Sequence, residues 1–283
     1  MQKKNKIFFR KTSNMKTKFG FIQGRVTKTP SKKILQYFPK DSWREEFSIA
    51  SNLGFNFIEY IGERKKNIDN PIWSKSGLKE INYLNKVNKL KSHTFCDDFF
   101  INNDLLLYPR VENYFKNLSR NLFSIGIKIY VLALFEKSEI KKSNLKKYIP
   151  KLSKISKIFK KKKIKLALET NLNSTNLENI FKKSKTKNMY LVYDTGNRMK
   201  NNKLQHQEII QLKNMIIHVH LKDKNLSGEN VVFGSGKVDF KSIFKALKII
   251  KYKGKFTFET NRGVDPLKTM INNKKLVLNL LNK

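Results

Sequence analysis

The chain is poor in residues that mark whole classes of protein. Cys96 is the single cysteine among 283 residues, so no intramolecular disulfide can form, and a reducing, cytoplasmic setting is the expectation. Four histidines are too few for a multi-zinc centre built mainly on imidazoles. Only 22 residues are Asp or Glu against 60 Lys or Arg, so an acidic residue inside an apolar run stands out. Long hydrophobic runs are missing as well. The basic start MQKKNKIFFRKTSNMK has just three consecutive apolar residues, Ile7–Phe9, too short for a signal-peptide core or a membrane span. Residues 1–17 read as a disordered basic lead, with Met15 an alternative start, before a single domain over 18–283.

The charge surplus is the loudest feature and is discounted on its chemistry. A net charge of +38 ordinarily suggests nucleic acid or an anionic surface. Eight of the 60 basic residues are arginine, and the 52 lysines are dispersed among abundant Asn, Ile and Phe, a mixture that AT-rich codons produce. A dedicated nucleic-acid surface uses arginine for its bidentate phosphate and guanine contacts. The lysines, including the clusters Lys141–Lys147 and Lys160–Lys165, therefore read as solvated helix faces. Specific nucleic-acid binding is not expected; a basic rim that attracts anionic substrates is the alternative.

Apolar, β-branched and aromatic runs recur along the chain. They cover Phe19–Ile22, Phe55–Ile61, Leu90–Cys96 and Ile127–Phe135, then the segments KIKLALET, MYLVYDTGN, MIIHVHLKD and KFTFET. Each reads as a buried strand. Helix-like spacing fills the intervals, at Asp41–Leu53, Ser76–Val87, Val111–Ile125, Ser143–Lys162, Asn176–Lys185, Leu204–Leu212, Phe240–Ile250 and Asp265–Leu281. Strand and helix alternating eight times predict a single-domain α/β protein, a (β/α)8 TIM barrel of ordinary length.

The last four strands share a pattern. Each ends in a residue that can hold a metal: Glu169, Asp194, His220 and Glu259. Catalytic groups gather at the C-terminal rim of such a barrel, so four successive strand ends can converge on one ion. Three carboxylates and an imidazole suit one divalent metal ion, Mn2+, Co2+, Mg2+ or Zn2+, rather than a thiolate-seeking centre. Plainer roles exist for each. Lysine pairing would satisfy Glu169 and Glu259, and Asp194 could cap a helix after the turn Thr195-Gly196-Asn197. His218 shares the strand face of His220 but lies deeper, as a hydrogen-bonded core residue. His93, followed by Asp97 and Asp98, is a candidate substrate contact, although a core histidine would look the same. Arg25, Arg198 and Arg262 follow strand ends, where a guanidinium suits a phosphate or carboxylate; Arg25 and Arg262 are the stronger substrate-binding candidates. Lys222 shares the face of His220 and can reach substrate or neutralise the acidic site. Gly234-Ser235-Gly236 has the look of a phosphate cradle, with a plain turn as the alternative.

The strings QGR, ALETN, VYDTGN, HVHLKD, FGSGKVDF and FTFETNRG, in this order at strand ends, resemble the xylose-isomerase-like TIM-barrel superfamily of sugar phosphate isomerases and epimerases. The likeness runs from about Phe19 to the C-terminus. It implies a Glu-Asp-His-Glu metal site at Glu169, Asp194, His220 and Glu259. Ketose 3-epimerases of the superfamily carry a substrate-binding His where this chain has Asn197, and an Arg where Leu226 stands, so the metal site transfers more safely than the substrate. Thr260-Asn261-Arg262-Gly263 is similar to a TARG motif of a bacterial subgroup.

The function expected is that of a divalent-metal-dependent sugar or sugar-phosphate isomerase or epimerase. It would work through a metal-stabilised enediolate, with Glu169 and Glu259 as acid and base. Arg25, His93, Asn197, Lys222 and Arg262 are the substrate-binding candidates. The partner is a small sugar or sugar phosphate, not a membrane, and the sequence leaves room for a homo-oligomer. Alternatives are an inosose-dehydratase-like lyase on the same site, an endonuclease IV-like repair enzyme, or a non-catalytic polyanion-binding barrel.

Overall fold

The expected apolar runs become eight parallel strands that close on themselves, in the spatial order β1-β10-β7-β6-β5-β4-β3-β2. The computed structural model describes residues 18–29, 36–200 and 204–282, so the expected N-terminal lead and Met15 lie outside the described residues. The strands are β1 (Phe19–Ile22), β2 (Phe57–Gly62), β3 (Thr94–Asp97), β4 (Ile129–Leu134), β5 (Lys165–Thr170), β6 (Met189–Asp194), β7 (Ile216–Leu221) and β10 (Lys255–Phe258). A two-stranded antiparallel ribbon, β8 (Asp223–Lys224) with β9 (Asn230–Val231), stands on the loop after β7.

The helices pack outside this ring. They are α1 (Glu45–Asn52), α2 (Lys75–Val87), α4 (Val111–Ser124), α5 (Leu145–Lys161), α6 (Ser174–Lys183), α7 (Gln205–Leu212), α8 (Phe240–Ile249) and α9 (Pro266–Asn282). A short extra helix, α3 (Phe99–Asn102), follows β3. Side-chain caps start several of them, because a free side-chain oxygen satisfies an orphan first-turn N–H. Ser74 takes the Gly77 N–H, Asn173 that of Asn176, and Asp239 that of Ser242, each at 3.0 Å. Helix α1 departs from expectation. Asp41 and Ser42 do not cap it, because the Pro39 carbonyl takes the Ser42 and Trp43 N–H groups into a turn and the helix begins at Glu45.

Interlocking aromatics fix the helices to the barrel. Phe159 of α5 stacks on Tyr130 of β4 with ring centroids 4.2 Å apart, and Phe115 of α4 meets both rings. All three are fully buried, and each such side chain contributes about 1.5–3 kcal/mol of burial free energy. Register sets the site's level: Asp194 and Thr257 lie directly opposite His220 on the two neighbouring strands. No helix among the described residues is long and apolar enough to cross a membrane.

Candidate metal and active site

Four buried polar side chains meet where β5, β6, β7 and β10 end. Glu169, Asp194, His220 and Glu259 each offer one ligand atom, and these atoms all lie within 4.8 Å of one another. His220 Nδ1 is 2.9 Å from Glu259 Oε2 and 3.5 Å from Glu169 Oε2. Asp194 Oδ2, His220 Nδ1 and Glu259 Oε2 are buried, and their close contacts, to Lys222 for Asp194 and to each other for His220 and Glu259, lack hydrogen-bond geometry. The four ligand atoms converge on one small region, and their O/N donor set suits a hard or borderline divalent ion. The residues therefore fit the metal that the sequence implies.

The surroundings hold these atoms in place. Asp194 Oδ1 accepts the N–H groups of Gly196 and Asn197 at 2.8 and 2.7 Å, so the helix-cap role and the ligand role fall to different oxygens of one carboxylate. Asn197 Nδ2 donates to Glu169 Oε1 at 2.9 Å. The Lys222 ammonium lies 2.8 Å from Asp194 Oδ2 and 2.7 Å from Glu259 Oε1. Behind His220, Nε2 contacts Glu59 Oε1 at 2.8 Å. Glu59, His218 and His220 also stand close enough to hold an ion. Glu59 Oε2 already accepts from Thr94, Thr257 and His218 at 2.7–2.8 Å, so this group reads as a hydrogen-bond network and not as a second metal centre.

Burial and neighbouring charge pull the titrations apart. Burial pushes the Asp194 carboxyl up to about 6 against the pull of Lys222, with Glu259 and Glu169 adding to the rise. Burial works the same way on Glu259, but Lys222, His220 and Arg25 outweigh it and hold that carboxyl below the usual range. Burial disfavours charge on His220, yet Glu59, Glu169 and Glu259 reverse this and raise it. Lys222 is raised too, because Asp194 and Glu259 outweigh its desolvation. Asp98, just after β3, is pushed up to about 7 by burial and then by Glu259 and Glu169.

Of the expected substrate-binding residues, Arg25, Asn197, Lys222 and Arg262 come to this rim. Arg25 is 1% exposed, with Nη2 3.7 Å from Glu259 Oε1. Arg262 lies behind it, donating from Nε to the Gly24 carbonyl at 2.7 Å and stacking on Tyr37. His93 is set apart. It precedes β3 and packs on Phe57, the first residue of β2, with ring centroids 5.2 Å apart, which is the opposite end of the strands from the ligands. Burial, then His218 and Lys255, push it down to about 2, so it is a neutral, half-buried histidine at the base of the barrel. Arg198 turns away to Glu208, Thr170 O and Leu172 O and ties loops together. The Gly234-Ser235-Gly236 loop is a turn: Asp223 Oδ2 takes the N–H groups of Gly234 and Gly236 at 2.8 and 2.9 Å, leaving neither for a phosphate.

Glu59 and Asp98 belong to the site's surroundings without having been singled out in the sequence. For Glu59 a signal existed, since a carboxylate inside the apolar strand FIEYIG must have a buried partner. Its partner His220 is 161 positions away, which no local pattern reveals.

A closed eight-stranded parallel barrel with a carboxylate–imidazole cluster at its C-terminal rim defines the class: a TIM barrel with a cluster able to hold a metal ion. The sequence profile of the xylose isomerase-like TIM barrel matches residues 47–277, and the chain belongs to that family. Solved structures share the fold. D-psicose 3-epimerase with D-tagatose from Clostridium cellulolyticum H10 superposes with a TM-score of 0.73 at 13% identity, covering 94% of this chain and 99% of its own. An IOLI protein with a bound zinc atom gives 0.72 at 18% identity, covering 94% and 98%. A D-allulose 3-epimerase from Methylomonas sp. in complex with D-allulose gives 0.70 at 15% identity, covering 94% and 97%. A search among curated proteins finds no match by sequence.

Proposed function

We propose that this chain is a divalent-metal-dependent isomerase or epimerase of a sugar or sugar derivative. The observation that carries the reading is the convergence of Glu169, Asp194, His220 and Glu259, all buried, from four consecutive positions around the barrel. The neighbours whose structures hold D-tagatose, D-allulose or zinc support it. A divalent ion held there supplies Lewis acidity, polarising an α-hydroxy carbonyl and easing loss of the adjacent C–H proton.

The protein's own residues would do the proton work. Glu169 on β5 and Glu259 on β10 are separated by β6 and β7, so they reach a bound substrate from different sides. One removes a proton and the other returns it in an epimerisation; one glutamate moving it between neighbouring carbons gives aldose–ketose isomerisation. Asn197 holds Glu169 by its Oε1, fixing which oxygen faces the substrate. Lys222, between Asp194 and Glu259, supports a second reading on the same site. Its ammonium is placed to protonate a departing hydroxyl, as a lyase would require. An endonuclease with a multi-histidine centre fits poorly, because His220 alone of the chain's four histidines belongs to the four-ligand cluster.

The test is a panel of ketoses, aldoses, inososes and their phosphates, incubated in D2O with added Mn2+ and followed by NMR. Metal-dependent C–H exchange supports the isomerase reading, and loss of water supports the lyase. A metal-loaded protein that exchanges no substrate proton and releases no water across the panel sinks both.

A further inference from the structure

Arg25 is a buried cation near the site's carboxylates that no one of them holds by a hydrogen bond. Its guanidinium is 1% exposed, and Nε, Nη1 and Nη2 are all buried without a hydrogen-bond partner. The nearest carboxylate oxygen, Glu259 Oε1, is 3.7 Å away, beyond hydrogen-bond reach. That carboxylate is already served: Lys222 Nζ lies 2.7 Å from Oε1, and His220 Nδ1 lies 2.9 Å from Oε2. A second guanidinium stands close by, since the two arginines Arg25 and Arg262 repel each other electrostatically. Arg262 is nonetheless engaged with the Gly24 carbonyl and Tyr37. A guanidinium offers five N–H donors in a rigid fork and stays charged, so a buried fork with no hydrogen-bond partner in the protein suits an oxyanion.

Position narrows what that oxyanion is attached to. Arg25 follows β1, and β1 pairs directly with β10, the strand that delivers Glu259. An anion on Arg25 therefore sits beside Glu259, next to the carbons this glutamate would act on, and not at the far end of a six-carbon chain.

On the reading proposed above, we infer that the substrate carries a carboxylate or phosphate within one or two bonds of the reacting hydroxy-carbonyl pair, and that Arg25 binds it as a fork. Neutral ketoses such as those held by the structural neighbours lack that group. The class is an oxo-hydroxy acid or a short-chain sugar phosphate.

Three probes separate the possibilities: dihydroxyacetone, hydroxypyruvate and dihydroxyacetone phosphate. They share a hydroxy-ketone pair and differ only at the third carbon, which is neutral, a carboxylate or a phosphate ester. Each is titrated calorimetrically into the Mn2+-loaded and the metal-free protein, as wild type and as Arg25→Met and Arg25→Lys. The expected result is that one or both anions bind the loaded wild type about 10- to 100-fold more tightly than dihydroxyacetone, as for a charge-assisted hydrogen-bonded pair. Arg25→Met should abolish that preference while leaving dihydroxyacetone affinity within about threefold, and Arg25→Lys should keep part of it. Preference for hydroxypyruvate alone assigns a carboxylate, and preference for the phosphate ester alone assigns a phosphate. Equal affinity for all three probes in the wild type, or a preference that survives in Arg25→Met, overturns the inference. Binding of the three probes that ignores the metal sinks the metal-dependent reading instead, so the two failures are distinguishable. Because Arg25→Met removes a buried charge without hydrogen bonds, it is not expected to unfold the barrel; the wild-type ranking is decisive on its own.

Discussion

Glu59 Oε1 lies 2.8 Å from His220 Nε2, and it is the one oxygen of that carboxylate directed at this histidine of the candidate metal cluster. The other oxygen, Oε2, accepts from Thr94 and Thr257 at 2.7 Å and from His218 at 2.8 Å. One oxygen anchors the carboxylate in the core while the other turns His220 so that Nδ1 faces Glu169 and Glu259. Outer carboxylates of this kind fix both the tautomer and the direction of a ligating imidazole.

Glu59→Gln should accordingly weaken divalent-metal affinity by about 10- to 100-fold. Thr94→Val removes an anchor without touching the His220 contact and should change affinity much less. Competition against a chelator of known strength measures both. Equal affinity in Glu59→Gln and wild type would show that Glu59 only braces the core.

The ends of β5, β6, β7 and β10 were legible because each combines a buried apolar run with one polar residue at its close, and strand alternation fixes which way that residue faces. His218 was legible for the same reason: it lies two residues before His220 on one face and is tied to Glu59 and Thr257. His93 misled, because position on a strand run does not say how deep the strand begins. The run Leu90–Cys96 forms ladder pairs only from Thr94, leaving His93 below the barrel's layer of ligands. Gly234 and Gly236 gave only a weak cradle signal and fitted a plain turn better, and Asp223 claims their N–H groups in such a turn. Glu59 depends on partners distant in sequence, so its role follows from barrel closure and not from any local string.

A second prediction concerns Glu46, which is fully buried beneath the β1 loop and accepts the Gly24 N–H at 2.8 Å. Burial pushes its carboxyl up from 4.5 to about 8, against the pull of the Gly24 N–H and Arg262. The unfolded chain releases this proton near 4.5, whereas the native state keeps it until about 8. The group therefore takes stability away as pH rises through that window, because the native state then binds more protons than the unfolded one. Glu46→Gln should flatten the slope and add about 2–4 kcal/mol at pH 8, with little change at pH 4.5. Urea unfolding of both proteins across the window checks it. A mutant curve parallel to wild type would reject the buried, protonated state.

A third prediction treats the net charge of +38 as mostly passive. Affinity for random duplex DNA should be weak and should fall steeply with salt, as counterion release alone dictates. Filter binding at several salt concentrations measures this. Tight, sequence- or lesion-dependent binding that survives about 200 mM salt would contradict it, since purely electrostatic contacts fade over that range.

The last prediction separates proton transfer from ligation at Glu169 and Glu259. Both offer an oxygen to the ligand cluster, and both are proposed to carry protons. Replacing either with Gln keeps a coordinating oxygen and removes the basic carboxylate. Each variant should retain much of its metal yet lose turnover by about 10²–10⁴, the range for removing a general base. The two losses should differ in kind, because the glutamates stand on β5 and β10 with β6 and β7 between them. One variant should still exchange a substrate proton with D2O while failing to invert the centre, since a single side of the substrate is then served. Elemental analysis gives the metal content, and NMR of a substrate found in the D2O panel gives exchange and inversion separately. Near-normal turnover in one variant would remove that glutamate from the proton relay, and normal turnover in both would reject the two-base mechanism outright.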